Sequence, residues 1–554
     1  MKRIVFLIIA TMLVLGLVLP GCGGTTTPRT YPVVAGEITI GVAGPMDDIQ
    51  GEHHLAGAEM AVASIGTVTV GTTPYTLKLK AINTNEVHGP PGDGYSALLA
   101  DIDKVDFVVG GFRTEAVLSY REVAMDSKVL FFNCGAATEF LQNSVVTDYT
   151  RYKYWFKATP YNETFLVTSL LKMVGTAGKG LRDGLVVADA GVNADYKLTG
   201  AAGTHADPHV LRVAIVVENL SWAHGIVAKA VELLPTLQLD SQNITYEVVG
   251  IWRPSSTATT LATEFAAIAP LKPHIVFTSF SGPVGVAYSK ERPSLLPHAV
   301  TIGINVEGQS LNQWTATTGG CEFDMMLDTW AAGVNITAYT QDFFNDFVED
   351  YDDYPTYCAA TYDAIHSLKA ALETTDSFDP AVLIPWLENP ANAMTTGVGA
   401  KKTTYYPAPG VDTEDVTALT EAQAIAIYPH LQYLKDWGAW TYNQTEWLVG
   451  PHTRHDTVYG SEYQTGLGVI WDDGQKVGWW PAHAAGYPWG LNTPSVGLIA
   501  YIEGLPEAYR GPTAEAFMNA GILDNYGYWL WRYPGAVDIA DYITPAALLG
   551  FFMF

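Results

Sequence analysis

VDFVVGGFRTEAVLSYREVAMDSKVLFFNCGA (105–136) is the stretch that decides the fold. Its opening run, VDFVV, is apolar apart from Asp106, without polar alternation, and too short for a buried helix. That is how a strand covered on both faces reads. Two glycines end it, 114–128 reads as a helix, and 129–136 is a second apolar strand. Strand, helix and strand in this order, with apolar strands, predict a parallel sheet layered between helices. The pattern extends outward. GEITIGVAG (36–44) and YTLKLKAINTN (75–85) read as strands. In 50–65, Leu55, Ala58, Met60, Ala61 and Ile65 recur at near-helical spacing, and 94–102 is a further helical stretch. It then repeats with strands at 211–219, 244–252, 273–280 and 298–305 and helices at 224–234 and 257–269. The fold class expected is α/β, with two doubly wound parallel-sheet lobes. Two helices follow at 337–351 and 357–374, then a less regular region at 376–450. GLGVIWDDGQKVGWWP (466–481) reads as a hairpin turning at Asp472-Asp473-Gly474, where glycine supplies the positive φ.

The chain opens with Lys2 and Arg3, then an uncharged segment from Ile4 to Pro20 that runs into LGLVLPGCGG (15–24). A spanning helix wants about 20 apolar residues, so the run is short for one. A basic start, an apolar middle and small residues at the end fit a secretion signal. The alternative is an uncleaved anchor helix, and both readings place the remainder outside the cytoplasm.

The 554 residues carry 30 Lys and Arg against 57 Asp and Glu, a net charge of −27. That sign opposes nucleic-acid binding, which draws its affinity from neutralised phosphates. It also opposes polybasic docking to anionic lipid. With 48% hydrophobic residues the chain has the composition of packed cores rather than disorder. Four cysteines are present, Cys22, Cys134, Cys321 and Cys358, and no CxxC. A Cys321–Cys358 disulfide is permitted by an oxidising compartment. No zinc-protease, nucleophile-elbow, dinucleotide-loop, phosphate-loop or calcium-loop pattern occurs. His53-His54 are adjacent on a predicted helix and point about 100° apart, so they read as a polar helix start rather than a metal site. No catalytic residue, metal or cofactor is expected, and the weight shifts to binding.

Taken in order, these segments resemble the type I periplasmic binding proteins of the leucine/isoleucine/valine-binding class. The resemblance is carried by IGVAGPMDDIQGEHHLAGAEMAVASI with its Gly57-Ala58-Glu59, and by the block at 105–141. RVAIVVENLSWAHGIVAKAV, the helix pair at 347–372 and the closing hairpin from 455 to 481 complete it, so that it covers roughly 36–375 and 452–481. LPGCGG likewise resembles a bacterial lipobox, which makes 1–21 a signal peptide, Cys22 the lipid attachment point and 22–35 a linker. The resemblance implies lobe 1 from 36–157 plus 336–451, lobe 2 from 158–335 plus 452–481, and an extension at 482–554 packed on the lobes. Crossovers between lobes fall at 156–160, 331–337 and 452–466, and the lobes close on a ligand by a hinge. It implies a small-molecule ligand, an amino acid or related amide or carboxylate, passed to the permease of an ABC importer. A tether raises the effective concentration for that meeting.

Residue by residue, the resemblance assigns the ligand carboxylate to Thr114 at a helix start. Helix N-termini suit anions on physical grounds too. The competing reading is that Thr114 only caps its helix. The loop Gly135-Ala136-Ala137-Thr138 adds donors. Trp222 closes over the ligand, or else is core. Glu307 pairs with a ligand ammonium, or else is an ordinary loop carboxylate. Gln50 enters the cleft from the first loop, and Ser279, Phe280 and Ser281 end a strand beside it. Arg113 departs from the family's small residue. It takes a second carboxylate, or it points outward to Glu115 or Glu139. Two other functions compete with a transport receptor. One is a sensory lipoprotein on the same fold. The other is an extracellular glycan or peptide hydrolase, which needs paired catalytic carboxylates.

Overall fold

The fold comes from a computed structural model that describes residues 29–159, parts of 163–178, 209–236, 244–332 except 298, 340–388, 455, and 467–480 except 473. The signal region with Cys22, most of 376–450 and the extension at 482–554 lie outside the described residues.

In lobe 1, β1 (Glu37–Gly44) buries Ile38, Ile40, Val42 and Ala43 completely. The chain continues through α1 (Ile49–Ile65), β2 (Thr67–Val70), β3 (Thr73–Asn83), α2 (Gly92–Asp101), β4 (Phe107–Gly110), α3 (Thr114–Asp126), β5 (Phe131–Asn133), α4 (Glu139–Thr147), α5 (Tyr149–Tyr152) and β6 (Trp155–Lys157). The strand order is β2-β3-β1-β4-β5-β6, parallel except for the β2–β3 hairpin. β5 is shorter than the expected 129–136, because Asn133 turns the chain. Its side-chain amide donates to Ala136 O and accepts from Ala136 N, a local bond that competes with strand continuation.

Lobe 2 runs β7 (His209–Val217), α6 (Ser221–Leu233), β8 (Ile244–Trp252), α7 (Ala262–Ile268), β9 (Ile275–Phe280), α8 (Val284–Leu295), β10 (Val300–Asn305), α9 (Asn312–Thr317) and β11 (Met325–Asp328). α10 (Thr340–Tyr351), α11 (Thr361–Thr375) and α12 (Pro380–Leu387) return to lobe 1, where Phe343, Phe347, Ile365, Leu368 and Leu383 join its core. β12 (Leu467–Asp472) and β13 (Gln475–Trp480) then extend the second sheet, whose order is β13-β12-β11-β10-β9-β7-β8. Gly474 turns the hairpin with φ +78°. α7 starts later than expected. Thr257 N and Ala262 N bond to the hydroxyls of Ser255 and Thr260, which compete with a helical backbone. α8 has no sequence expectation: it carries Pro293 and buries small and polar residues such as Gly285, Ser289 and Arg292.

Each sheet reverses its winding next to its central strand. In lobe 1 this is the carboxyl end of β1 and β4, and in lobe 2 that of β7 and β9. Ligands of open α/β sheets bind at such switch points, and here the two ends face each other. Apolar packing joins them: Val87, Phe112, Ala137 and Tyr357 share one cluster with Trp222, Ile304 and Val306 of lobe 2. Two polar bridges also cross. Glu115 accepts from Ser221 N (2.7 Å) and Ser221 Oγ (2.6 Å), and so caps α6 from the opposite lobe. Gln50 Nε2 donates to Glu307 Oε1 (3.0 Å) and Ser281 O (3.3 Å). The lobes are therefore closed.

The hairpin is held by a fully buried pair, Lys476 with Asp328, and Lys476 also donates to Gln309 O. His455 sits against lobe 1, stacked on Phe156 (centroids 4.0 Å apart) with Nε2 2.6 Å from Glu388 Oε1. Cys134, Cys321 and Cys358 are all buried and in no disulfide. The Cys321–Cys358 bridge is not formed: the two sit in different apolar clusters.

Candidate functional site

β4 ends in Gly110-Gly111, at φ +105° and +89°. A Cβ on Gly110 would lie 2.1 Å from Ala43 O, so only glycine lets β4 approach β1 this closely and turn. The turn delivers Arg113 and Thr114 to the cleft. Arg113 N donates to Glu86 Oε2 (2.5 Å), and Nη1 to Val87 O (3.0 Å) and Glu86 O (3.4 Å). The guanidinium is 6% exposed, and its Nε and Nη2 carry no hydrogen bond. It reaches lobe 2, where a Cβ on Gly282 would sit 2.8 Å from Nη2. The outward reading of Arg113 is thus overturned: Glu115 bonds Ser221 instead.

Thr114 is 4% exposed and its Oγ1 has no partner. The cap position of α3 belongs to Arg113, with φ −81° and ψ 130°, and no side chain caps it. Thr114 therefore does not cap its helix, and its hydroxyl is left for something else. The first amides of α3 precede its internal bonds. In the loop after β5, Gly135 packs on the 111–112 backbone, where a Cβ would meet Gly111 O at 2.2 Å. Ala136 N is taken by Asn133, Ala137 lines the cavity, and Thr138 caps α4 through Phe140 N (3.4 Å).

Lobe 2 supplies carboxyl groups. Glu218 follows β7, and its Oε1 accepts from Trp222 Nε1 at 2.7 Å. Burial raises its pKa, while Arg113 and Ser281 pull it back. Glu307 follows β10, and burial pushes its carboxyl up to about 7. Glu86 in lobe 1 is also pushed to about 7 by burial, although Thr84 Oγ1 and Tyr120 OH donate to it. Between the walls lies a small cavity. Phe112, Leu166, Trp222, Ile304, Val306 and Tyr357 make its apolar lining, with Arg113, Thr114 and Ser281 as polar points.

No protein-family model and no curated protein matches the sequence. Solved structures do match the fold. One is the branched-chain amino acid transporter substrate-binding protein LivJ from Streptococcus pneumoniae, in complex with isoleucine. It is 13% identical, has a TM-score of 0.53, and the match covers 79% of this chain and 97% of that one. A second is an ABC transporter solute-binding protein from R. palustris, in complex with benzoate. It is 14% identical, has a TM-score of 0.51, and the match covers 80% of this chain and 95% of that one. A third, an ABC transporter substrate-binding protein from Sphaerobacter thermophilus, is 13% identical with a TM-score of 0.50, covering 67% and 90%. The chain has the type I periplasmic binding protein fold.

Within the binding-protein fold, Gln50, Arg113, Thr114, Gly135, Ala137, Trp222, Ser281 and Glu307 converge on the closed cleft. Ala136 and Thr138 flank it with their polar groups engaged in the loop and in α4. His53 and His54 are not a solvent-facing helix start. They are buried, with His53 Nδ1 at 3.1 Å from Thr356 Oγ1 and His54 Nδ1 at 2.8 Å from Cys358 O, so they fasten α1 to the 353–361 segment. Glu86, Glu218 and Tyr357 escaped the sequence reading. Glu218 had a signal, a carboxylate directly after the apolar strand RVAIVV, at the end that faces ligands. Glu86 had none, because it lies in a loop. Among the described residues no cluster of His, Cys, Asp and Glu suits a metal, and no helix is long and apolar enough to cross a membrane.

Proposed function

We propose that this protein is an extracytoplasmic solute-binding lipoprotein, tethered through Cys22, that captures a small carboxylate-bearing molecule between its lobes by hinge closure. It then hands the molecule to the permease of an ABC importer. One observation carries the reading: buried donors without acceptors, Arg113 Nε and Nη2 and Thr114 Oγ1, at the start of α3 beside a cavity. Leaving such donors unmet costs about 1–3 kcal/mol each, more for charged groups, so an acceptor arriving there is favoured, while Glu218 Oε2, also buried without a partner, can take a donor on the other wall. The apolar walls from both lobes suit an organic body, in an amino acid or a related amide or carboxylate. The solved neighbours hold isoleucine and benzoate, two carboxylates. Gln50, Trp222, Ser281 and Glu307 complete the site from above, and 135–138 shapes its floor. The work is binding, with no chemical step.

A thermal-shift panel of amino acids, small amides, aliphatic acids and aromatic acids tests this. At least one carboxylate class is expected to raise Tm by mass action on the native state. A panel in which nothing shifts Tm contradicts the reading. Metabolic labelling with a radioactive fatty acid, lost in Cys22→Ala, tests the anchor.

A further inference from the structure

Glu86 is a buried carboxyl group in a loop, two features that seldom coincide. It follows β3 in the run 84–87, where Thr84, Glu86 and Val87 are all buried and Val87 joins the apolar cluster shared by both lobes. Its Oε2 accepts from Arg113 N (2.5 Å), and its Oε1 from Thr84 Oγ1 (2.7 Å) and from Tyr120 OH (3.2 Å) of α3. The carboxylate thus ties the run both to the entry of α3 and to a residue further along it. The main chain of the same run holds the other end of Arg113. The carbonyls of Val87 (3.0 Å) and Glu86 (3.4 Å) accept from its Nη1. Two residues therefore fix Arg113 at its amide and at its guanidinium. The remaining edge of the fork, Nε and Nη2, is buried without a partner. Such an edge can take a carboxylate bidentately. This hold works against a pull. Glu218 and Glu307 of lobe 2, and Asp48 just before α1, all interact electrostatically with the guanidinium. Glu218 Oε2 also lacks a partner of its own. An arginine free to swing would pair with one of these carboxylates, and its fork would be occupied inside the protein. Held by Nη1, Arg113 hydrogen-bonds to none of them.

We propose that Glu86 is the positioning residue of the cleft: with the carbonyls beside it, it holds the Nε–Nη2 edge of Arg113 open to a ligand carboxylate and away from the protein's own carboxylates. The proposal rests on the reading of the cleft as a carboxylate site and adds the residue that keeps its fork free. It holds whether or not the ligand also brings a donor to Glu218. Glu86 does not line the cavity, so its effect on affinity runs through Arg113. An arginine already held loses little rotamer freedom when a ligand arrives. A carboxylate suits the task better than an amide, since it accepts all three donors and brings none of its own to leave unmet.

The probes are benzoate, 3-phenylpropionate, 3-methylpentanoate, phenylalanine and isoleucine, and the tightest binder of the wild-type protein is carried into the variants. Affinities are read by calorimetry, and by ligand-observed NMR where they fall into the millimolar range. Glu86→Gln keeps the shape and one acceptor oxygen, and is expected to weaken binding about three- to ten-fold. Glu86→Ala frees the Arg113 amide altogether and is expected to weaken it by at least about ten-fold. Circular dichroism and the unliganded Tm check that each variant folds. The deciding readout is a double-mutant cycle. In an Arg113→Met background, Glu86→Gln is expected to cost less than about two-fold, because the group it positions is gone. A merely structural role of Glu86 weakens binding by the same factor in both backgrounds. Equal factors, or no effect of either Glu86 variant on affinity, overturn the proposal and leave the carboxylate site standing. If no probe binds the wild-type protein, the carboxylate reading falls and the proposal with it.

Discussion

The two walls of the cleft are built alike and equipped differently. Each is the carboxyl end of a parallel sheet at its switch point, followed by a helix N-terminus. Lobe 1 presents donors there, Arg113 and Thr114 at the start of α3. Lobe 2 presents carboxyl groups, Glu218 and Glu307. The start of α6 is the exception that shows why. It is filled by Glu115 from lobe 1, so that anion site of lobe 2 is used to close the cleft. The matching start of α3 is left for a ligand. Equivalent scaffolds thus acquire different roles from a few side chains at their strand ends.

Substitutions on either side test that division. Trp222→Ala is expected to have the largest effect. It removes the main apolar wall of lobe 2 and leaves Glu218 without its indole donor, a loss on the order of 3 kcal/mol, or about a hundred-fold in affinity by calorimetry. Thr114→Ala removes one donor to an anion and is expected to cost about ten-fold with little change in Tm of the unliganded protein. If unliganded Tm falls as steeply as affinity, Thr114 is a structural residue after all.

Glu307 gives a pH test. Burial raises its pKa from 4.5 to about 7. The folded protein holds a proton there that the unfolded chain releases. Its contribution to stability is therefore present below about 4.5 and lost as pH rises through about 7. His54 and His366, lowered by burial to about 4 from 6.5, act oppositely, and their contribution grows as pH rises from about 4 to 6.5. The difference between wild type and Glu307→Gln isolates the first effect. The wild type is expected to lose on the order of 2 °C or more of Tm relative to the variant between pH 5 and pH 8. A constant difference contradicts the burial of Glu307 in the closed cleft. Glu115→Ala is expected to have the smallest effect. It removes a cap worth about 1 kcal/mol and so weakens closure and affinity roughly five-fold.

Much of this architecture was legible in the sequence because parallel strands covered on both faces are apolar throughout. β4 and the cores of β7 and β9 announce themselves that way, while β1 shows a β-branched alternation. α8 did not, since its buried face carries Gly285, Ser289 and Arg292, which break the apolar stripe. In the site, Thr114, Trp222 and Glu307 came from the family resemblance, each with a purely structural reading beside it. The state of Arg113 was not legible. Whether it pointed inward depended on Glu86 gripping its amide from 27 residues away and on Gly282 leaving room in the other lobe. Those are tertiary facts with no local pattern. The same holds for His53 and His54, whose partners lie about 300 residues downstream.

The most direct test is a crystal structure of the protein with its tightest-binding carboxylate. The account predicts the carboxylate within about 2.7–3.0 Å of Arg113 Nε or Nη2 and of Thr114 Oγ1, with its apolar body on Trp222. A ligand outside the cleft, or one inside it that leaves those donors without an acceptor, contradicts the account.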